Sequence, residues 1–459
     1  MSSTTAPIPY SYRESIRRVN RSDSRIMWTI SSLSSRSGSK YSGASSSDMS
    51  KNSGCSSRTA GDFGASELSR IAHRMVRDGY TQRMIEAFKY SAKLETWFIE
   101  LDVKWVLQCR EGHTLQQQFQ LQGKSAWWLE GLVHGWIRAL TITAVGVREL
   151  VAGGHDTLEA ARFGSASISA MLVVVAAILD VLKVENLQVV LHMHICVSGA
   201  SHDLRGSIFN EIGPSLEREE DRLTQAISSR MRNMRALMDC DNSWGTEISL
   251  GKGEVNSKTQ MLVDCILLMK KARQNSAQSH NTENLRGLIT DMIGYTRDLL
   301  RTKSKLCSDP NLGCLFLLNN SYFLAQEVSE PSTYLRPGRR EPELTPECKK
   351  YMNTYLDVSW GRALSYIPKS NSSREPKLWK KTSTLDKFQS EFHETYLSQR
   401  FWKVPDSRLR SLLREKITNR VISGYRDYLK DHPELGKQAS NGNSSPGDLE
   451  KMLGGIFEG

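Results

Sequence analysis

The sequence predicts an all-α fold of stacked antiparallel helical bundles. Three observations lead there. Apolar residues recur at helical spacing through most of the 459 residues, strand-like alternation is confined to one short stretch, and helix start and stop signals flank the periodic segments. Many medium-length helices with short links and no fixed repeat suit bundles packed on one another. At 39% hydrophobic residues the chain can bury a large core, and ~100 to 200 residues per domain suggests about three structural units.

Residues 1–65 come first. Twenty serines among the first sixty positions, in tracts such as SSLSSRSGSKYSGASSS, cannot bury enough apolar surface to offset ordering entropy, so this stretch is expected to be a disordered tail. Its Ser and Arg richness imitates an organelle transit peptide, but a flexible, phosphorylatable tail is the preferred reading. Helical periodicity begins with Ser66 as N-cap and Leu68, Ile71, Ala72, Met75 and Val76 on one face, until Gly79 stops it and a second helix follows. The longest stripe, over 126–151, runs through Leu129, Leu132, Val133, Trp136, Ile137, Leu140, Ala144, Val147 and Val151 and reads as a core face. The run LQVVLHMHICV (187–197) is the best strand signal, yet helices surround it and helix is the assignment. These elements form a first bundle over 66–212.

A middle bundle is expected over 213–346. Its opening helix starts at Gly213 and Pro214, with Glu217, Glu219, Glu220 and Asp221 in its first turns and Arg230, Arg232 and Arg235 in its last, matching the helix dipole. Further helices fit 257–274, 284–304 and 310–328. In the last, Asp309 is the N-cap, Pro310 occupies the first helical position, and Asn319 and Asn320 need polar partners inside a nearly all-apolar helix. A stretch with Pro331, Pro337, Pro342 and Pro346 marks the boundary to a C-terminal bundle over 347–459.

Charge and cysteines narrow the class. The net charge of +11 is uneven: nine Lys or Arg face three acids in 1–60, 34 face 35 in 61–360, and 18 face 12 in 361–459. A basic tail and basic last third suit an anionic membrane surface or acidic partner better than a nucleic-acid groove, so no nucleic acid is expected. No apolar run reaches the ~18 residues of a membrane span, and Met171–Leu179 reads as a buried helix in a soluble protein. Eight scattered cysteines with no Cys-x-x-Cys pair imply reduced cytosolic thiols. Neither a myristoylation Gly nor a prenylation Cys is present.

GTEISLGKGE (245–254) imitates a phosphate loop, but its glycines are one residue too far apart and Gly253 stands where a metal-binding Ser or Thr belongs. His192, His194 and Cys196 would share a metal only on a strand, since a helix spreads alternate residues by about 200°. Glu219 and Glu220 are explained by solvated capping at a helix start. There is no Gly-x-Ser-x-Gly elbow and no His-Glu-x-x-His, so a non-catalytic protein with no cofactor and no metal is expected. Two basic features remain. One is Arg336, Arg339 and Arg340 in the Pro-rich loop; the other is the helix from Asp406, carrying Arg408, Arg410, Arg414, Lys416, Arg420, Arg426 and Lys430 beside Leu409, Leu412, Leu413, Ile417 and Val421. About 1 kcal/mol per cation near an anionic leaflet makes such a cluster matter only if its members point the same way.

An ordered set of blocks carries a family resemblance: ELSRIAHRMVRDGY (67–80), GEVNSKTQMLVDCILLM (253–269), KSKLCSDPNLGCLFLLNNSYFLAQEVSEP (303–331), VSWGRAL (358–364), FWKVPDSRLRSLLREKITNRVISGYRDYL (401–429) and DLEKMLGGIFEG (448–459). Together the chain resembles the EXO seventy family of exocyst subunits in its plant branch. The resemblance implies an elongated rod of helical bundles, and a subunit that tethers secretory vesicles to the plasma membrane. It further implies N-terminal helices joining other exocyst subunits, phosphoinositide binding through C-terminal basic residues, and regulation by Rho-type small GTPases. Two departures stand out. The N-terminal helical portion is replaced by the Ser-rich tail, and the family's Lys-rich segment before Asp-Leu-Glu reads KQASNGNSSPGDLE (437–450), leaving Lys437, so that lipid contact is expected to be either weakened or moved onto the helix 406–430. A cytoplasmic protein, peripheral at the plasma membrane, follows. The alternatives are a rod-shaped interaction protein outside the exocyst, acting in plant immunity, or a peripheral phosphoinositide-binding module.

Overall fold

The computed structural model describes residues 11–19, 64–110, 126–154, 157–183, 186–276, 281–329, 344–367, 378–435 and 445–458. Among them the regular structure is helical throughout, apart from one isolated antiparallel bridge between Lys403 and Glu458. In chain order the helices are α1 (Arg13–Arg18), α2 (Ala65–Arg77), α3 (Tyr80–Ser91), α4 (Glu95–Glu100), α5 (Trp105–Arg110), α6 (Ala126–Ala152), α7 (Thr157–Leu172), α8 (Val175–Val181) and α9 (Leu187–Asp203). Then follow α10 (Gly213–Cys240), α11 (Trp244–Leu250), α12 (Ser257–Asn275), α13 (Asn281–Lys303), α14 (Pro310–Val328), α15 (Pro346–Ser365), α16 (Leu378–Gln399), α17 (Ser407–Lys430) and α18 (Pro446–Gly454), with short 3-10 turns at Ser207–Phe209 and Ser304–Leu306.

These helices group into two compact units, Met1–Met238 with Asp264–Asp291, and Asp239–Val263 with Met292–Gly459. Three bundles with limits at 213 and 347 are the expectation from the helix start at Gly213 and the Pro-rich stretch; the divisions between these two units fall inside α10, α12 and α13. A helix's backbone ladder runs on unbroken whichever neighbours its side chains meet, so nothing local in the sequence marks such a point.

In the first unit α6 is central and packs against α2, α7 and α9. The expected stripe is the buried one, with Val133, Trp136, Ile137, Leu140, Ala144 and Val147 all inside. The indole of Trp136 donates to the Met171 carbonyl on α7 at 2.9 Å, which satisfies the one polar atom of a large buried ring. Helix α2 corrects one expectation. Its N-cap is Gly64 in the left-handed region with no side-chain hydrogen bond, so Ser66 sits within the first turn rather than at the cap.

Two further readings change. Glu219 and Glu220 are buried rather than solvated, because they share a helix face with the buried Leu216 and Leu223 at i, i+3, i+4 and i+7. Ser276 donates to Glu220 at 2.5 Å and Arg222 to Glu219 at 2.8 Å, while burial pushes both carboxyl pKa values upward. The apolar stretch around Met171–Leu179 is not one helix: α7 and α8 meet at a turn where Val173 is exposed. Thr157–Val181 is nevertheless, among the described residues, the one span long and apolar enough to cross a membrane by length and composition, with half of its most apolar window buried inside the protein.

Most of residues 1–65 lie outside the described residues, but residues 11–19 do not. They form an ordered segment ending in α1, with Ile16 fully buried and Val19 nearly so, where a disordered tail was expected. All seven described cysteines are free thiols, and burial pushes Cys196 up to about 12.

Candidate functional site

The second unit carries the basic helix, and its geometry begins with α14. Asp309 caps it, accepting from the backbone N–H of Asn311 at 2.9 Å and Leu312 at 3.4 Å, with Pro310 at the first helical position, as the sequence predicts. Leu312, Leu315, Phe316, Leu318 and Leu324 are buried, and so are Asn319 and Asn320. Apart from the Phe316 carbonyl one turn back, their amides find their partners on distant backbone. Asn319 Nδ2 donates to the carbonyls of Gly253 at 2.7 Å and Lys403 at 2.8 Å. Asn320 Nδ2 donates to Glu254 O at 3.2 Å and Phe316 O at 2.8 Å, and its Oδ1 accepts from Asn256 N–H at 3.0 Å. Lys403 completes the node, its N–H reaching Lys252 O and its ammonium Glu254, each at 2.9 Å.

That node fixes the segment leading into α17. Three residues beyond Lys403, Asp406 caps the helix by accepting from Leu409 N–H at 2.8 Å. Leu409, Leu413, Ile417, Val421 and Tyr425 then recur every fourth residue and are buried, and α17 packs against α15 and α18. Because a four-residue step advances 400°, this stripe drifts around the helix and the cations between its members do not keep one direction.

The structure accordingly separates the predicted basic residues. Arg414 points inward to the chain's last described residues, with Nε donating to the Ile456 carbonyl at 2.9 Å and Nη2 meeting Glu458 at 3.1 Å. Arg420 pairs with Asp357 on α15, Arg426 with Glu450 on α18, and Lys430 with Asp427 on its own helix at 3.6 Å. These last three are exposed pairs, each contributing about 0 to 1 kcal/mol. Arg408 and Lys416 are exposed and Arg410 is half-buried, and none of the three forms an ion pair among the described residues. Lys437, Arg336, Arg339 and Arg340 lie outside the described residues. Sequence reasoning could not see Asp357, Glu450 and Glu458 as partners, since each lies more than twenty residues from its arginine and outside any local pattern.

The other motifs resolve as structure. GTEISLGKGE is mostly α11, whose C-terminal end faces the glycines; anions favour the opposite end of a helix, so no phosphate cradle forms there. Nearby, Lys258 is buried, its ammonium 2.7 Å from Glu247, 2.5 Å from Asp241 and above the Trp244 ring. Burial alone raises both carboxyl pKa values, but hydrogen bonds from Lys258 outweigh it and hold Asp241 and Glu247 below their ordinary range. In the first unit, His192, His194 and Cys196 sit on helix α9, which turns them apart: His194 Nε2 meets Thr224 Oγ1 on α10 at 3.0 Å, while Cys196 contacts Thr141 on α6 at 3.5 Å. Burial lowers the His194 pKa to about 4, so its ring is neutral at pH 7.

Comparison with known proteins then places the chain. It is 22% identical over 435 residues to the exocyst complex component EXO70A1 of Arabidopsis thaliana, covering 85% of this chain and 66% of that protein. It is 24% identical to EXO70A3 of the same plant over 54% of this chain and 46% of the relative, and 28% identical to EXO70C1 over 41% and 31%. The chain thus spans about a third to two thirds of these relatives' length. The family described as Exo70 exocyst complex subunit, C-terminal, matches residues 163–455, well over half of the chain. An all-helical chain with that match, and with its matched part running from α7 to the end of α18, belongs to the Exo70 exocyst subunit family.

Proposed function

We propose that the protein is an exocyst-type subunit acting as a non-catalytic scaffold in the tethering of secretory vesicles to the plasma membrane, in the cytoplasm and peripheral to that membrane. The observation that carries this reading is the family match over residues 163–455. Other exocyst subunits are its expected partners, with Rho-type GTPases as regulators. Purification of the tagged chain from native tissue, followed by mass spectrometry, is the test: stoichiometric recovery of other exocyst subunits is expected. Their absence, with unimpaired secretion on deletion, would remove the reading and leave an interaction protein outside the complex, such as one acting in plant immunity.

Phosphoinositide contact is the second part of the proposal, and the ion pairing on α17 favours a particular set of residues for it. Arg408, Arg410 and Lys416 form no ion pair among the described residues, so their charge is available to an anionic leaflet, whereas Arg414, Arg420 and Arg426 already face acids. Reversing all three to Glu is expected to lower flotation with phosphoinositide-containing liposomes at least tenfold, at about 1 kcal/mol per cation near such a surface. Unchanged flotation would reject these three residues as the lipid contact.

A further inference from the structure

The first unit holds a short segment in the manner of a bound peptide. Residues 11–19 lie against α2, α3 and the turn after α4, and the contacts are complementary in both shape and charge. Ile16 is fully buried, Val19 is nearly so, and Tyr12 stacks edge-on with Tyr80 at 5.6 Å between ring centroids. Around these anchors the polar contacts run one way. Glu100, itself buried, accepts from the Ser11 hydroxyl and from the backbone N–H groups of Tyr12 and Arg13. Asp102 accepts from Arg13 at 2.6 Å and from Arg17 at 2.7 Å, and Asp78 accepts from the Tyr12 hydroxyl. Arg13, Ile16 and Arg17 stand at i, i+3 and i+4, so one helix face supplies the apolar anchor and both cations.

A six-residue helix is far below the ~12 residues at which isolated helices become marginal in water, so its partner surface orders it. Residues 20–63 separate it from α2, and among the described residues its hydrogen bonds and ion pairs to the body run through Asp78, Glu100 and Asp102. Burial alone raises the Asp102 pKa, yet the hydrogen bonds from Arg17 and Arg13 outweigh it and hold the carboxyl below its ordinary range; the site is charged and matched to cations.

We propose that the surface formed by Asp78, Tyr80, Glu100, Asp102 and the recess under Ile16 is a docking site for a basic amphipathic helix of a partner protein, which residues 11–19 occupy in cis as a stand-in. The inference does not rest on the tethering role. A helix with the spacing Tyr-Arg-x-x-Ile-Arg presents the same anchors, and it gains the site by outcompeting a tethered copy whose own contact area is small.

The test uses the full chain and a labelled synthetic peptide of residues 11–19. Ile16→Asp, and separately the pair Arg13→Glu with Arg17→Glu, unseat the resident segment without altering the site. Each chain is first checked for unchanged helical circular dichroism. Fluorescence polarisation is expected to show the peptide binding either unseated chain at least tenfold more tightly than the original one. Adding Asp102→Asn should remove most of that binding; Asn tolerates the left-handed backbone that Asp102 adopts at φ 62, so the loop is kept. A peptide carrying Ile16→Ser should also fail. Equal binding to unseated and original chains would overturn the proposal. So would binding indifferent to Asp102→Asn, which would mark mere attraction between a basic peptide and an acidic surface.

Discussion

Exchanging Asn320 for leucine is expected to destabilise the second unit by about 2 to 4 kcal/mol, although the two side chains are close in size and the site is fully buried. The larger part of that cost falls on the groups left behind. Asn256 N–H loses its acceptor and the carbonyl of Glu254 loses its donor, both where α14 meets the loop of residues 251–256. A net hydrogen bond adds only about 1 kcal/mol, but an orphaned buried donor costs about 1 to 3 kcal/mol by itself. Thermal melts followed by circular dichroism are the measurement, with the exposed Asn419→Leu as the comparison, expected within about 0.5 kcal/mol of the original chain. A change at Asn320 no larger than that at Asn419 would show that the node does not hold the loop.

The second large effect concerns Gly245 and Gly313, which press on one short turn from two sides. A Cβ on Gly313 would lie 2.6 Å from the Ser304 carbonyl oxygen, and one on Gly245 would meet the Leu306 carbonyl closer still. Both obstacles are backbone, so neither can swing aside. Alanine in a helix interior ordinarily gains about 1 kcal/mol over glycine, and the clash reverses that sign, with an expected loss of about 2 to 4 kcal/mol for either Gly245→Ala or Gly313→Ala. The internal control is Gly287 on α13, exposed and with open space where a Cβ would sit, where Gly287→Ala is expected to raise the melting temperature. If all three substitutions stabilise, the close approach of α11 and α14 to the turn Ser304–Leu306 is wrong.

The glycines show where the sequence could be read and where it could not. Gly245 stood out in GTEISLGKGE as part of a loop that fails to cradle phosphate, and its actual reason, contact with a turn some sixty residues on, has no local signature. Asp309, Pro310 and Asp406 were legible because a cap acts on the next three residues, and both helices begin where those residues place them. Stripes such as Trp136–Ile137–Leu140–Ala144 were legible for the same reason, since a helix face is written at fixed spacing. The demand that Asn319 and Asn320 find partners was legible too, but not the identity of the distant ones, because beyond Phe316 on the same helix they came from residues 253–256 and 403. Basic residues on α17 read as one face only while their acids were out of sight; Asp357, Glu450 and Glu458 divide them. The order of the N-terminal segment is hidden by its company. Averaged over 1–65, composition argues against order, yet Ile16 and two arginines within six residues suffice when a receptive surface waits elsewhere in the fold.

The asparagine step has a consequence for motion. Both amides bind carbonyls from the 251–256 loop, Asn319 also binds the carbonyl of Lys403 that leads into α17, and Lys403 itself bonds Lys252 and Glu254, so neither segment can swing away without breaking bonds to Asn319 and to the other segment. Loop and helix start therefore open together as one cooperative unit, and slow exchange of their amide protons is governed by a single event rather than by two independent ones.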